Sequence, residues 1–347
     1  MKDGEEIRLE QRYSRQILFK PIGEEGQKQL SEASVAIIGC GALGTASAEM
    51  LVRAGIGTLH IADRDVVEYS NLQRQQLFTE ADAAAMMPKV LAAQQRLTAI
   101  RPDVRLHTYF EHVDAVLMEN LAGKADLIID ATDNFETRLL INDAAHKYAI
   151  PWIYGACVGS AGTVFAFVPG ESACFRCLLP VLPTMNETCD TVGIIAPAVQ
   201  MTASCQCAEA LKWLTGNREA LRKKVYSFDL WHPMQLEAGV SRIRNEFCET
   251  CGSQPTFPSL VRDGQGKYAV LCGRDAVQIL AGSERGLSLD DAELLAGKLG
   301  SPYRRTPYFV EMHAEGHRMV LFNTGRLIIY GLRDVNAGRS LYHRLFG

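Results

Sequence analysis

Two Cys-x-x-Cys pairs, Cys174-Phe175-Arg176-Cys177 and Cys248-Glu249-Thr250-Cys251, give this chain four thiolates at metal-ligand spacing. Four thiolates complete a closed tetrahedral zinc site. Seventy residues lie between Cys177 and Cys248, more than a zinc finger spans. The expected site is therefore a structural clip between distant loops, with a redox or unliganded role for either pair as the other reading.

A second constellation starts at Gly39-Cys40-Gly41-Ala42-Leu43-Gly44, the G-x-G-x-x-G spacing of a dinucleotide-binding turn. The spacing alone is weak, but its context strengthens it. An apolar run at 35–39 precedes the turn, a helical pattern ending at Gly55 follows, and Asp63 closes the next strand about 20 residues on, placed to accept ribose hydroxyls. A nucleotide is implied, though not which one. The residues after Asp63 discriminate: Asn71, Gln73, Arg74 and Lys89 can supply donors to the β- and γ-phosphates of a triphosphate, which hydride transfer does not need. Taken singly, each reads as an ordinary solvated surface group. Asp133 follows a strand ending at Asp130, at the carboxyl edge where open α/β sheets bind ligands, so it could hold magnesium. An Asx turn or helix cap suits Asp133-Asn134 equally well.

Cys189 lies in a polar, turn-rich stretch without a second cysteine at ligand spacing; it reads as an exposed nucleophile or as a bystander. Cys40, Cys157, Cys205, Cys207 and Cys272 sit in apolar or small-residue contexts and are assigned no chemistry. His313 and His317 have helical zinc-site spacing, but Glu315-Gly316 between them signals a hairpin, and both are read as surface residues.

The elements that must position these groups alternate. Strands at 35–39, 58–63, 104–110 and 125–132 are separated by helical patterns at 45–55, 80–102 (interrupted at Pro88) and around 113–122, which predicts a doubly wound, mostly parallel, Rossmann-like α/β sheet. After Pro151 the strands WIYGACV, GTVFAFV, KVYSFDL and QLEAGVSRIR, with one long helix at 196–216, suggest an antiparallel continuation. From about 265 a small α+β appendage follows: YAVLCG, a helix after Ser288, a meander turning at Glu315-Gly316 and Asn323-Thr324-Gly325, and a closing helix.

The chain's 347 residues and 47% hydrophobic content suffice for a sizeable core. A net charge of −4 offers no basic field for nucleic acid. No secretory pattern or uninterrupted apolar span is visible, so the expectation is a cytoplasmic protein without membrane contact, its ten cysteines reduced.

Together with Arg12-Tyr13-Ser14-Arg15-Gln16, the motifs GCGALG, DRDVVEYSNLQRQ, Pro88-Lys89, ATDNFETR and the two cysteine knuckles resemble the ThiF/MoeB/HesA family over roughly residues 11–255. The resemblance implies an adenylyltransferase that uses ATP and magnesium to activate the C-terminal Gly-Gly carboxylate of a ubiquitin-like sulfur carrier, releasing pyrophosphate. It implies a nucleotide site of Gly39, Gly41, Ala42, Gly44, Asp63, Asp65, Asn71, Arg74, Lys89, Thr132, Asp133 and Asn134, with magnesium on Asp133 and zinc on Cys174, Cys177, Cys248 and Cys251. Arg15 matches an arginine that reaches into the partner subunit's site, which implies a homodimer. Cys189 matches the cysteine linked to the carrier in thiazole-pathway members. Ala42 stands where the family often has glycine.

The resemblance divides the chain into an N-terminal segment (1–34) serving the partner's site, an adenylation domain (35–260) and a small domain of unassigned role (265–347). That last domain lacks a rhodanese-like cysteine loop, so sulfur must come from a separate donor such as a cysteine desulfurase. Short extensions of this kind accompany thiamine-pathway members, favouring a ThiS-like carrier over a MoaD-like one. An NAD(P)-dependent oxidoreductase and a zinc-stabilised nucleotide-binding scaffold are the rival classes.

Overall fold

The computed structural model describes residues 11–181, 192–261, 268–271, 275–280 and 287–346. The chain forms two compact units, Met1–Val261 and Arg262–Gly347.

The first unit is built on an eight-stranded sheet in the order β3-β2-β1-β4-β5-β6-β7-β8. β1 (Ser34–Ile38), β2 (Thr58–Ala62), β3 (Arg105–Tyr109), β4 (Leu127–Asp130) and β5 (Trp152–Val158) run parallel. β6 (Ala161–Phe167), β7 (Lys224–Asp229) and β8 (Met234–Gly239) continue antiparallel, so the change of texture after Pro151 comes one strand before the change of direction: WIYGACV, read with the antiparallel half, is β5 and pairs parallel with β4. The central strands read as unbroken apolar runs because both faces are covered. Val35, Ile37, Leu59 and Ile61 pack against α3 (Ala42–Ala54), α5 (Lys89–Ile100) and α9 (Ala196–Leu214). Ala36, Ile38 and Ile128, one residue out of phase and so on the opposite face, pack against α6 (Ala115–Ala122) and α7 (Phe135–Lys147). The helical stretch at 80–102 divides at Pro88 into α4 (Glu80–Ala85) and α5, because proline cannot donate an intrahelical bond. A short helix, α1, covers 11–17, and α2 spans Gly23–Glu32; α8 is the single turn Phe175–Leu178.

Some elements have no clear counterpart in the sequence pattern. The core-facing side of α7 carries Arg138, Asn142 and Asp143, all buried, so its apolar periodicity is blurred. The β-strand reading of QLEAGVSRIR ends early, at Gly239, and a 3-10 turn occupies Ser241–Ile243.

The second unit is a six-stranded antiparallel sheet in the order β11-β12-β13-β14-β10-β9. Its strands are β9 (Tyr268–Leu271), β10 (Ala276–Leu280), β11 (Tyr303–Arg305), β12 (Phe309–Ala314), β13 (His317–Phe322) and β14 (Arg326–Tyr330). β10 is another unanticipated element: Gln278 interrupts its apolar run, yet is buried and accepts a 2.9 Å bond from Arg326 Nε. The helix after Ser288 is α10 (Leu289–Leu299), opened by a Ser288–Asp291 capping box; α11 (Val335–Phe346) closes the chain. The hairpin at Glu315-Gly316 forms as read, and His313 is exposed. His317, expected at the surface, is instead half-buried, with Nδ1 3.1 Å from the Tyr330 carbonyl. No helix among the described residues is long and apolar enough to cross a membrane.

Candidate functional site

The chain leaves β1 toward β2 and β3 on one side, then returns to place β4 on the other, so the sheet's topological switch lies between β1 and β4. Ligands of doubly wound sheets bind in the crevice beyond the strand ends at such a point. The turns after these two strands carry Gly39–Gly44 and Asp130–Asn134.

The glycines have separable causes. Gly39 has φ +98°, and a Cβ there would lie 2.5 Å from the Ala131 carbonyl oxygen, so the two turns touch only because it is glycine. A Cβ on Gly44 would lie 2.0 Å from the Gly39 carbonyl, which fixes the close approach of α3 to its strand. Gly41 is the N-cap of α3, and no side chain caps this helix start. The nearest atom to a Gly41 Cβ would be Gln75 Nε2, 3.9 Å away. The N-terminal amides of α3 thus present a helix-dipole surface suited to phosphate. Ala42 is accommodated as the first helical residue, its methyl packing toward Leu43, Ala46, Val199 and Ala203.

Asp63 follows β2 and stitches the site together: Oδ2 accepts from the Cys40 amide and Oδ1 from the Asp65 amide, both at 2.7 Å. Burial raises its carboxyl above the ordinary range, with Lys89 acting in the opposite direction. Lys89, 6% exposed at the start of α5, places Nζ 3.7 Å from Asp65 Oδ2 while its amide donates to the Asp65 carbonyl. Asn71 is buried at the end of a 3-10 turn (Tyr69–Asn71), where its Oδ1 accepts from the Glu68 amide, leaving the amide nitrogen as the donor end. Arg74 is half-buried and anchors Nη1 on the Ser70 carbonyl at 2.9 Å. Gln73 is exposed, with Nε2 3.5 Å from the Ile194 carbonyl.

On the β4 side, Asp133 is exposed, and it is Asn134, not Asp133, that caps α7 by accepting from the Thr137 amide at 2.9 Å. Thr132 turns inward: its amide and hydroxyl both donate to Asp130 Oδ1, at 2.9 and 2.6 Å. The side chains of Thr132 and Asn134 thus shape the turn, leaving Asp133 at its rim.

Three residues that the sequence reading passed over brace this crevice. Arg138 Nε meets Asp130 Oδ2 at 3.1 Å and Nη2 donates to the Thr132 carbonyl at 2.7 Å. Gln206, on α9, donates Nε2 to the carbonyls of Asp130 and Ile153. Gln75 is buried against the glycine turn. Arg138 and Gln75 lie inside motifs already singled out, ATDNFETR and SNLQRQ; what hid them is that polar residues in a motif read as ligand-facing.

Arg15 is exposed on α1 and stands apart from this cluster. Its neighbour Gln16 donates to the Ala54 carbonyl at 2.7 Å, which places α1 at the C-terminal end of α3. At 1.5 Å per residue, the glycine turn is about 20 Å away along that helix.

The four knuckle cysteines are buried and their sulfurs all lie within 4.8 Å of one another. Cys174 and Cys248 are 3.5 Å apart, Cys177 and Cys251 3.6 Å. These separations are too long for disulfides and close to the edge of about 3.8 Å implied by tetrahedral zinc–sulfur bonds. Burial pushes the Cys174 thiol above its ordinary range and that of Cys177 up to about 11. A divalent cation would reverse this by stabilising thiolates. Backbone amides of Thr250 and Asn245 point at Cys248 and Cys177 Sγ, at 3.4 and 3.5 Å. The donor set fits zinc. Cys189 lies outside the described residues.

The model of the ThiF family matches residues 13–250. The chain is 49% identical to the sulfur carrier protein ThiS adenylyltransferase of Bacillus subtilis, over 97% of this chain and 99% of that protein. It is 41% identical to the protein of the same name from Escherichia coli, over 71% and 97%. The crystal structure of E. coli MccB with ATP shares the fold, with a TM-score of 0.57 at 21% identity, covering 66% of this chain and 69% of that one.

Proposed function

The chain belongs to the ThiF family, and from that premise we propose that it is the ATP-dependent adenylyltransferase of a ThiS-like sulfur-carrier protein. One observation carries the reading: the likeness to the Bacillus ThiS adenylyltransferase runs through both units of the chain, not the adenylation unit alone.

The chemistry follows from the groups in the crevice. A terminal carboxylate of the carrier attacks the α-phosphorus of ATP, the new C–O–P linkage forms, and the bond from that phosphorus to the bridging oxygen breaks as pyrophosphate departs. The nucleophile is already ionised, so no protein base is required; catalysis rests on placement and on charge stabilisation. Asp63 holds the ribose, the amides of Gly41 and Ala42 face phosphate, and Asn71, Arg74 and Lys89 neutralise charge developing on the α-phosphate and leaving group. Asp65 sets Lys89. Asp133 would hold a magnesium ion, which when bound offsets phosphate charge; one carboxylate plus phosphate oxygens is an ordinary ligand set for that ion. Zinc on the four cysteines serves structure.

We assign Arg15 to the site of a second copy in a homodimer. An arginine side chain cannot span the length of α3, and Leu18 and Phe19 beside it are 70% and 60% exposed, as expected of surface that a partner covers. Within residues 1–34 it is Arg15 that serves the partner, while 35–260 carry adenylation and 265–347 form a small domain. Cys189 is assigned to covalent capture of the activated carrier, its thiolate attacking the acyl carbon to form a thioester as AMP leaves, with sulfur delivered by a separate donor such as a cysteine desulfurase, in the cytoplasm. Leu230, Trp231, Met234 and Leu236, exposed around edge strand β8, offer apolar area suited to a protein partner.

The test is exchange of labelled pyrophosphate into ATP in the presence of a ThiS-like carrier ending in Gly-Gly. Exchange that depends on this carrier and is lost in Arg74→Ala and Asp133→Ala supports the reading; exchange only with a MoaD-like carrier, or none with either, overturns it.

A further inference from the structure

Asp143, in the middle of α7, is fully buried and belongs to neither the nucleotide crevice nor the cysteine cluster. Its carboxylate gathers both knuckles. Oδ1 accepts from Thr250 Oγ1 at 2.5 Å and from Asn142 Nδ2 at 3.4 Å; Oδ2 accepts from Arg176 Nη2 at 3.1 Å and from the Ser259 amide at 2.8 Å. Arg176 lies between Cys174 and Cys177, and Thr250 between Cys248 and Cys251. The two are also joined directly, Arg176 Nε donating to Thr250 Oγ1 at 3.0 Å, so that the threonine hydroxyl donates to the carboxylate and accepts from the guanidinium. Next to it, Asn142 Oδ1 accepts from the Phe175 amide at 2.8 Å, tying the first knuckle to the same helix turn.

We infer that Asp143 is a positioning residue for the zinc site: it fixes the register of two knuckles 74 residues apart, so that four sulfurs converge before the metal arrives. The inference rests on the reading of the cluster as a zinc site. Two knuckles brought together by a metal alone need no shared carboxylate, and a buried carboxylate is costly unless its bonds are satisfied. Here every bond but one to Asp143 comes from a knuckle or from the segment that follows it. The Thr250 amide, 3.4 Å from Cys248 Sγ, extends the chain of contacts to a ligand atom. Groups outside the coordination sphere that hold ligands in place retain metal in the same way.

The test measures release of zinc from the holo protein to a chromophoric chelator. Asp143→Asn is expected to release zinc about tenfold faster than wild type, in line with the loss of outer-sphere partners. Thr250→Val, which keeps the amide facing Cys248 and removes only the hydroxyl, is expected to accelerate release too, and the two changes together to fall short of multiplying, as members of one network do. Glu219→Gln, exposed on the 3-10 turn Arg218–Ala220 and outside this network, is the control expected to leave release unchanged. Cobalt-substituted Asp143→Asn should show altered thiolate-to-metal absorption. Release within about twofold of wild type in Asp143→Asn overturns the inference; should that variant not fold, unchanged release in Thr250→Val does so. Wild-type protein holding neither zinc nor cobalt would instead refute the zinc reading itself.

Discussion

Arg138 and Asp130 form a buried ion pair, Nε to Oδ2 at 3.1 Å, and between them they hold both faces of the turn that carries Asp133: the carboxylate takes the Thr132 amide and hydroxyl, the guanidinium takes the Thr132 carbonyl. The guanidinium also stacks on Tyr154, 5.1 Å from the ring centroid. The turn that presents Asp133 at its rim is thus anchored by an ion pair one residue and more away from it.

Removing one partner leaves the other charged and buried. Arg138→Met is therefore expected to cost roughly 3–5 kcal/mol in urea unfolding. A melt indistinguishable from wild type would show that Asp130 finds compensation elsewhere.

Metal content is open to direct measurement. The purified protein should carry about one zinc per chain, and stripping it should lower the melting temperature on the order of 10 °C, because four buried thiols lose their common partner. Carefully purified, metal-free protein with an unchanged melt would contradict a structural clip.

Stability should fall on the acid side for an identifiable reason. His60 is buried, stacked on His107 with ring centroids 4.8 Å apart. Burial, followed by the charges of His107 and Lys124, lowers its pKa from 6.5 to about 4. The unfolded chain therefore binds a proton that the folded chain refuses between these values. The stability is fully present above pH 6.5 and is lost as pH falls toward 4. Comparing unfolding free energies at both ends of this window, His60→Gln should remove on the order of 1–2 kcal/mol of the pH dependence. Equal slopes for variant and wild type would exclude His60 as the cause.

A composite active site has a distinctive signature. Arg15→Ala and Arg74→Ala are each expected to lower pyrophosphate exchange about 10²–10³-fold. Mixed and re-equilibrated, they form heterodimers with one intact site, and activity should recover to about a quarter of wild type. A mixture as inactive as its components would mean that Arg15 does not act across a dimer.

The adenylation fold was legible because its signals are local: unbroken apolar runs for strands covered on both faces, proline and glycine at helix boundaries, and glycines forced by φ or close approach. What stayed hidden was polar and buried. α7 places Arg138, Asn142 and Asp143 inward, and β10 places Gln278 inward, so each breaks the apolar pattern that would have announced it. The crevice was legible as a set of residue types, since Asp63, Asn71, Arg74, Lys89 and Asp133 all belong to the two turns and the segment following β2. Which of their atoms remain for a ligand was not, because Asn71, Thr132 and Asn134 commit oxygens to backbone or carboxylate partners that only folding supplies.

The most direct test of the central claim is the intact mass of a ThiS-like carrier after incubation with this protein, ATP and magnesium. The account predicts a carrier heavier by one adenylyl group, dependent on Arg74 and absent when the carrier's last glycine is deleted. An unmodified carrier under conditions where the protein binds ATP would contradict it.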